Sequence, residues 1–151
     1  MKQKLKLLER MIRISVNAHS GQYDKAGVPY ILHPLRVMNA LKTIDGKIVG
    51  VGHDLVEDTG ITPEFLLSEG FPGYIVDAII SVSRKKDETY KEFIQRAKKN
   101  EIGRLVKIED MRDNCDLFRM HELPDKHLSM VKKYHAGIKE LEPNHDNRIS
   151  I

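Results

Sequence analysis

A cluster of acidic and imidazole side chains lies in the segment GHDLVEDTG, residues 52–60. Its ionisable members are His53, Asp54, Glu57 and Asp58. In a helix, positions 53 and 57 are four apart, as are positions 54 and 58, so all four side chains would share one face. The apolar residues Ile48, Val51 and Leu55 would then hold the opposite face in the core.

The simplest interpretation of this cluster is the solvated face of an amphipathic helix. Two features weigh against it. Glu57 and Asp58 would lie in the last turn before Gly60, where the helix dipole is already negative, and Glu57 repeats the charge of its acidic neighbours within one turn. Local rules broken without local compensation often mark functional sites. We therefore expect a positive partner, and a divalent cation is the obvious one.

Adjacent histidine and aspartate residues cannot fill the coordination sphere of such an ion. Further donors are available at His33, which precedes Pro34 and is thereby biased toward extended backbone, and at Asp110, which shares a helical face with Lys107 and Asn114. Spacing alone does not decide whether this second face contributes to a metal site. An exposed helix edge with intrahelical ion pairs such as Glu109–Arg112 explains the same pattern equally well.

The elements that must position these residues are helical. Apolar spacing and capping signals predict helices over 2–18, 33–42, 44–60, 62–70, 73–82, 87–99, 101–120 and 125–141. Asp87 is a plausible cap for the sixth of these helices. Residues 20–30, with two glycines and a proline, read as a loop. We expect one all-α domain over 1–141, a helical bundle with its metal site between helices, and a disordered tail over 142–151.

Composition excludes several other classes. The 151 residues are 40% hydrophobic and 31% charged with a net charge of +3, as expected for a globular protein that does not bind nucleic acid. No apolar run spans a membrane, and charges interrupt the N-terminal segment, so we expect a cytoplasmic protein. The single Cys115 reads as a buried helical residue. His19 could support the site, whereas His121, His127, His135 and His145 read as surface residues.

The ordered set His33, His53-Asp54 and Asp110 resembles the H…HD…D pattern of the HD phosphohydrolases. The strings AHSGQYDKAGVPYILHPLRVM (18–38), GHDLVEDTG (52–60) and VKIEDMRDN (106–114) narrow the resemblance to the hydrolase domain of the Rel/Spo stringent-response proteins. The resemblance covers most of the chain. It leaves no room for the synthetase and regulatory domains, and so implies the free-standing form, a small alarmone hydrolase.

The resemblance implies a role for each matching residue. The residues His33, His53, Asp54 and Asp110 match metal ligands, most often of one Mn²⁺, with Fe²⁺ as the alternative. Glu57 and Asp58 match the acidic pair that handles the attacking water. Lys25 and Asn114 match substrate-binding residues. The implied reaction is hydrolysis of the 3′-pyrophosphate of guanosine tetra- or pentaphosphate (ppGpp or pppGpp). Nothing in the sequence indicates the oligomeric state.

Three residues depart from the family pattern and leave the substrate open. Asp24 replaces a basic residue, Gly52 replaces a leucine, and Glu109 replaces an alanine. A carboxylate at position 24 would repel a phosphate, although it could accept a hydrogen bond from the edge of a guanine base. The alternatives are a phosphohydrolase acting on another nucleotide, such as the 2′-phosphate of NADPH or a nucleoside monophosphate, and a non-catalytic nucleotide-binding module.

Overall fold

The computed structural model describes residues 1–119 and 125–143. Regular structure in these ranges is helical, apart from one isolated bridge between Tyr23 and Pro29. The α-helices are α1 Lys2–Ala18, α2 Leu32–Ala40, α3 Ile44–Gly52, α4 Leu55–Asp58, α5 Pro63–Ser68, α6 Gly73–Val82, α7 Tyr90–Lys98, α8 Glu101–Asn114 and α9 Asp125–Leu141. The predicted all-α fold is confirmed. The predicted tail lies almost entirely outside the described residues.

Polar caps set several helix starts. Thr43, Thr62 and Asn100 each accept a backbone N–H from the first turn of the helix that follows. Thr89 forms a capping box with Glu92, which makes Thr89 the cap of α7; the prediction of Asp87 is wrong because the reciprocal bonds are available only at Thr89. The predicted helix over 101–120 is also too long, since α8 stops at Asn114 and a 3-10 turn follows at Leu117–Arg119.

The core is organised around α3, which is buried along most of its length and packs against α1, α2, α6 and α8. Its main apolar cluster includes Met11, Ile48, Val51, Leu55 and Ile79. A smaller cluster joins α7, α8 and α9 through Ile94, Ile108, Met111 and Leu141. Because α3 and α8 are fixed in this core, the residues at the C-terminal end of α3 are held rigidly against α8. Within the described ranges, no helix is long and apolar enough to cross a bilayer.

Candidate metal and nucleotide site

The chain breaks its helix at the His-Asp pair. His53 caps the end of α3 and Asp54 adopts φ −94° and ψ −3°, after which α4 begins at Leu55. The His53 Nδ1 donates to Gly50 O at 2.7 Å, the carbonyl that an uninterrupted helix would use for its next turn. The prediction of one continuous helix over 44–60 is therefore wrong at this pair.

Four donor atoms converge between α2, α3 and α8. Asp54 Oδ2 lies 3.1 Å from His53 Nε2 and 3.6 Å from His33 Nε2. Asp110 Oδ1 lies 3.2 Å from His33 Nε2 and 3.7 Å from His53 Nε2. Neighbouring ligands about 2.1 Å from a hexacoordinate ion lie about 3 Å apart. The donor atoms of His33, His53 and Asp54 all lie within 4.8 Å of one another and could hold one metal ion, and Asp110 adjoins this group through its contacts with both imidazoles. His33 lies inside the first turn of α2, so the extended backbone predicted for this residue is not observed.

The outer nitrogens of both imidazoles are fixed by hydrogen bonds. His33 Nδ1 donates to Asp113 Oδ2 at 2.7 Å, as His53 Nδ1 does to Gly50 O. A neutral ring that donates from Nδ1 presents the lone pair of Nε2, the form that binds metals. His53 Nε2 is buried and has no hydrogen-bond partner within the described residues. This orphaned acceptor is the observation that favours a cation among the four atoms.

The charges at the cluster are consistent with a cation. Burial opposes ionisation of Asp110, but Lys107, with Nζ 2.7 Å from Oδ2, and the two imidazoles hold its pKa well below the usual value. Burial likewise opposes ionisation of Asp54, yet the neighbouring His53 lowers its pKa. Burial lowers the pKa of His53, but Asp54 and Asp110 outweigh burial and raise it. Both carboxylates thus remain anionic and draw positive charge toward Nε2.

Glu57 and Asp58 flank this cluster without joining it. Glu57 Oε2 accepts the backbone N–H of Arg84 at 2.7 Å, and Asp58 Oδ2 lies 3.3 Å from the Tyr30 hydroxyl. Burial is the main cause that raises the pKa of each carboxyl group above its usual value. Both residues are exposed to solvent. A raised pKa suits a carboxylate that accepts a proton near neutral pH.

Tyr30 and Asp113 were not predicted from the sequence, but both belong to the site. The Tyr30 hydroxyl donates to Asp54 Oδ2 at 2.6 Å and lies 3.3 Å from Asp58 Oδ2, so it links the N-cap of α4 to the last residue of that helix. Asp113 holds His33 and also accepts from Arg36 Nε at 2.7 Å and Nη2 at 3.0 Å. Tyr30 lies three residues before His33 in the quoted PY string, which is a usable signal. Nothing in the sequence marks Asp113 over its acidic neighbours.

A cavity of about 270 Å³ adjoins the cluster and contains both predicted substrate-binding residues. Lys25 is exposed at its rim, and Asn114 donates to Asp110 Oδ1 at 2.7 Å. The cavity is lined by Tyr23, Asp24, Lys25, Ala26, Tyr30, Asn114, Asp116, Leu117, Arg119, His127 and Met130.

Two expectations about individual side chains are wrong. His127 is 5% exposed and lines the cavity, whereas a surface position was expected, because α9 packs this face toward α8. Cys115 is half-buried at the C-cap of α8 and is not a core residue. His135 is exposed as predicted, while His121 and His145 lie outside the described residues. His19 is buried and contacts the ring of Tyr30, as expected for a supporting residue.

The three departures from the family pattern have separate explanations. A Cβ at Gly52 would lie 2.8 Å from Met11 Sδ and 3.3 Å from Ile79 Cδ1, so this glycine allows α1 and α6 to approach α3. Glu109 pairs with Arg112 at 2.6 Å, the exposed intrahelical pair considered from the sequence. Asp24 uses Oδ1 to accept from two backbone N–H groups of its own loop, and Oδ2 faces Arg119 at 3.5 Å.

No model of a known protein family matches the chain. A probable GTP pyrophosphokinase of Mycobacterium leprae is 30% identical over 131 residues, covering 78% of this chain and 16% of that protein. A guanosine-3′,5′-bis(diphosphate) 3′-pyrophosphohydrolase of Borreliella burgdorferi is 35% identical over 86 residues, covering 54% of this chain and 13% of that protein. The chain is a homologue of the Rel/Spo proteins. It spans less than a fifth of the length of these two Rel/Spo relatives.

The fold agrees with this relationship. The solved structure of a metazoan orthologue of SpoT, described as hydrolysing ppGpp, superposes with a TM-score of 0.72 and 19% identity. The match covers 91% of this chain and 88% of that one. The predicted Rel/Spo resemblance and the HD-type helical bundle are confirmed. The residues of the four-atom cluster lie in the segments on which the resemblance was based.

Proposed function

We propose that the protein is a metal-dependent phosphohydrolase that removes the 3′-pyrophosphate of ppGpp or pppGpp, giving GDP or GTP and pyrophosphate. The observation that carries the proposal is the convergence of two imidazole nitrogens and two carboxylate oxygens at 3.1–3.7 Å beside a cavity. The name of the Borreliella relative supports the choice of substrate. Residues 1–141 would form the single catalytic domain, and the cytoplasmic location stays a prediction.

The metal ligands in this proposal are His33, His53, Asp54 and Asp110. Mixed nitrogen and oxygen donors suit Mn²⁺, or Fe²⁺, better than Ca²⁺. When bound, the ion would lower the pKa of a coordinated water and polarise the phosphoryl group. Lys107 and Asn114 hold Asp110 in place, and Asp113 does the same for His33. The chain thus supplies both the ligands and the groups that orient them.

Glu57 is the residue we assign as general base. Its carboxylate accepts a proton as the water oxygen attacks the phosphorus that is attached to the 3′-oxygen. The bond between that phosphorus and the 3′-oxygen breaks, and the released oxygen takes a proton from water to become the 3′-hydroxyl. Asp58, held near Asp54 through Tyr30, orients the attacking water. Lys25 at the rim of the cavity offsets phosphate charge.

The test compares Glu57→Gln with wild type in Mn²⁺ and ppGpp, with pyrophosphate release as the readout. We expect the rate to fall about 10²- to 10⁴-fold, while the Kd for Mn²⁺ stays within about twofold because Glu57 is not a ligand. Glu64→Gln, at an exposed position in α5, is the matched control and should retain full activity. Unchanged turnover in Glu57→Gln would place the base elsewhere.

A second substrate class is favoured by the place of Asp24 in the cavity, where its negative charge opposes a phosphate. A panel containing ppGpp, NADPH and nucleoside monophosphates, read for pyrophosphate and for phosphate, separates these activities. Turnover of another nucleotide without pyrophosphate release from ppGpp would replace the first proposal. Binding without any turnover would indicate a non-catalytic module, although the chain retains every ligand and both acids of the family pattern.

A further inference from the structure

A histidine without a hydrogen-bonding partner lines the cavity beside the metal-ligand cluster. His127 is the third residue of α9 and is 5% exposed. Both of its ring nitrogens are shielded from solvent and have no partner in the part of the chain that the structure describes. A neutral imidazole donates from one nitrogen and accepts at the other. Burying both without partners is unfavourable, because each group forfeits its bond to water.

The other buried histidines in the described ranges do not share this feature. Each has a partner at Nδ1: Gln22 for His19, Asp113 for His33 and Gly50 for His53. The fold satisfies one nitrogen of these rings internally and leaves His127 with neither. Buried unpaired polar groups require an explanation, and a ligand is one. The position of His127 in the lining of a cavity makes a ligand the relevant explanation here.

The lining of the cavity indicates which part of a nucleotide meets this ring. Tyr30 and Asn114 donate to the carboxylates of the metal-ligand cluster, so phosphates bound at the cluster enter beside them. Leu117 and Met130 supply apolar lining together with His127. Most of the exposed lining surface is apolar, although Asp24, Lys25, Asp116 and Arg119 also line the cavity. A largely apolar lining with a small number of polar groups suits a flat base. A base edge carries both donors and acceptors, which match an imidazole.

We propose that His127 hydrogen-bonds the base of the nucleotide and contributes to base selection, an inference that rests on the proposed function. Met130 lines the same cavity, and its flexible side chain can repack to uncover a ring nitrogen as the base enters. His127 is therefore a specificity residue on α9. The metal ligands and the acidic pair remain as assigned.

The experiment compares His127→Leu, His127→Gln and His135→Leu with wild type. Loss of one hydrogen bond to the base should raise the KM for ppGpp by about 3- to 15-fold in His127→Leu and leave kcat within about twofold. Gln can donate and accept, so His127→Gln should keep KM within about threefold. His135 is exposed on the same helix, and its variant should match wild type. An unchanged KM in His127→Leu overturns the inference.

Thermal unfolding without nucleotide separates this role from a structural one. Removing an unpaired buried imidazole should leave the Tm of His127→Leu equal to or above that of wild type, whereas a lower Tm or loss of folding indicates a structural histidine and overturns the inference. If wild type releases no pyrophosphate, the proposed function fails on its own. The rise in Tm that GDP or ADP produces then tests the role of His127. A smaller rise in His127→Leu than in wild type supports the inference. An equal rise in both proteins, or no rise in wild type, overturns it.

Discussion

Replacing Asp113 by asparagine tests whether the outer hydrogen bonds set the metal affinity. Both carboxylate oxygens are occupied by donors: Oδ1 accepts from Arg36 Nε, and Oδ2 accepts from His33 Nδ1 and from Arg36 Nη2. An amide has one oxygen and one NH₂ group. Whichever way the asparagine side chain is turned, its NH₂ faces a donor. The variant therefore keeps the size of the side chain and breaks the hydrogen-bond pattern.

The expected loss of metal affinity follows from the tautomer of His33. If the asparagine NH₂ faces Nδ1, that nitrogen must accept, and the ring proton moves to Nε2, where it blocks the lone pair intended for the metal. If the oxygen faces Nδ1 instead, the NH₂ faces Arg36 and the packing of the α8 end against α2 is disturbed. Loss of such an outer partner weakens metal binding by about 10- to 100-fold, or about 1.4 to 2.7 kcal/mol.

The assay is Mn²⁺ binding by titration calorimetry, with circular dichroism to verify that the variant is folded. Asp116→Asn is the matched control, because it removes the same charge two residues after Asn114, near Arg119, and does not contact His33. We expect its Kd for Mn²⁺ to match that of wild type within about twofold. A wild-type Kd in Asp113→Asn would refute the tautomer argument. Equal weakening in both variants would attribute the effect to charge at a distance instead.

Three further predictions concern packing, positioning and acid stability. Gly52→Ala should destabilise the fold by about 1–3 kcal/mol in urea unfolding, because its Cβ meets a methionine sulfur at 2.8 Å, whereas Gly60→Ala, with no atom within 4 Å, should be nearly neutral. Tyr30→Phe removes a donor from a metal-ligand carboxylate and should lower kcat more than it raises KM, unless the hydroxyl is only structural. Glu88 accepts two bonds from Arg96 at 2.7 and 2.8 Å, which lower its pKa from 4.5 to about 2. This pair should stabilise wild type over Glu88→Gln above about pH 4.5, and acid titration of the two proteins should show that advantage disappearing as the pH falls toward 2.

The sequence was informative where chemistry depends on residue type and spacing. Apolar periodicity and caps gave the all-α fold, and the H…HD…D order gave four residues whose donor atoms do converge. The sequence did not predict the residues that hydrogen-bond to those four side chains. Asp113 meets His33 across 80 positions of the chain, and a contact between distant helices depends on tertiary packing that no local pattern encodes. His127 was missed for the same reason, since one histidine on an amphipathic helix has no fixed neighbour until α9 is placed.

The helix dipole expected to act on Glu57 and Asp58 in GHDLVEDTG is not what favours a cation there. No long helix ends at Gly60, so Glu57 and Asp58 experience only the dipole of the four-residue α4. The physical demand for a cation comes instead from Asp54. Its carboxylate is 15% exposed, and in the described ranges its ion-pair partners are the two imidazoles. Those rings already donate from Nδ1 and are therefore neutral when Nε2 presents its lone pair.

When both rings are neutral, as they must be to present their Nε2 lone pairs, an ionised Asp54 lacks a full positive charge. Without a metal ion, the raised pKa of His53 lets a protonated imidazole supply that charge. Asp110 has Lys107 and Asp113 has Arg36, whereas among residues 1–119 and 125–143 the one additional donor to Asp54 is the Tyr30 hydroxyl. A buried carboxylate without a cation is unfavourable. A divalent ion at the converging Nε2 atoms would supply that charge. The break at His53-Asp54 then has a physical role: it accompanies an Asp54 carboxylate that lies 3.1 Å and 3.6 Å from the two Nε2 atoms, where a cation can supply the missing charge.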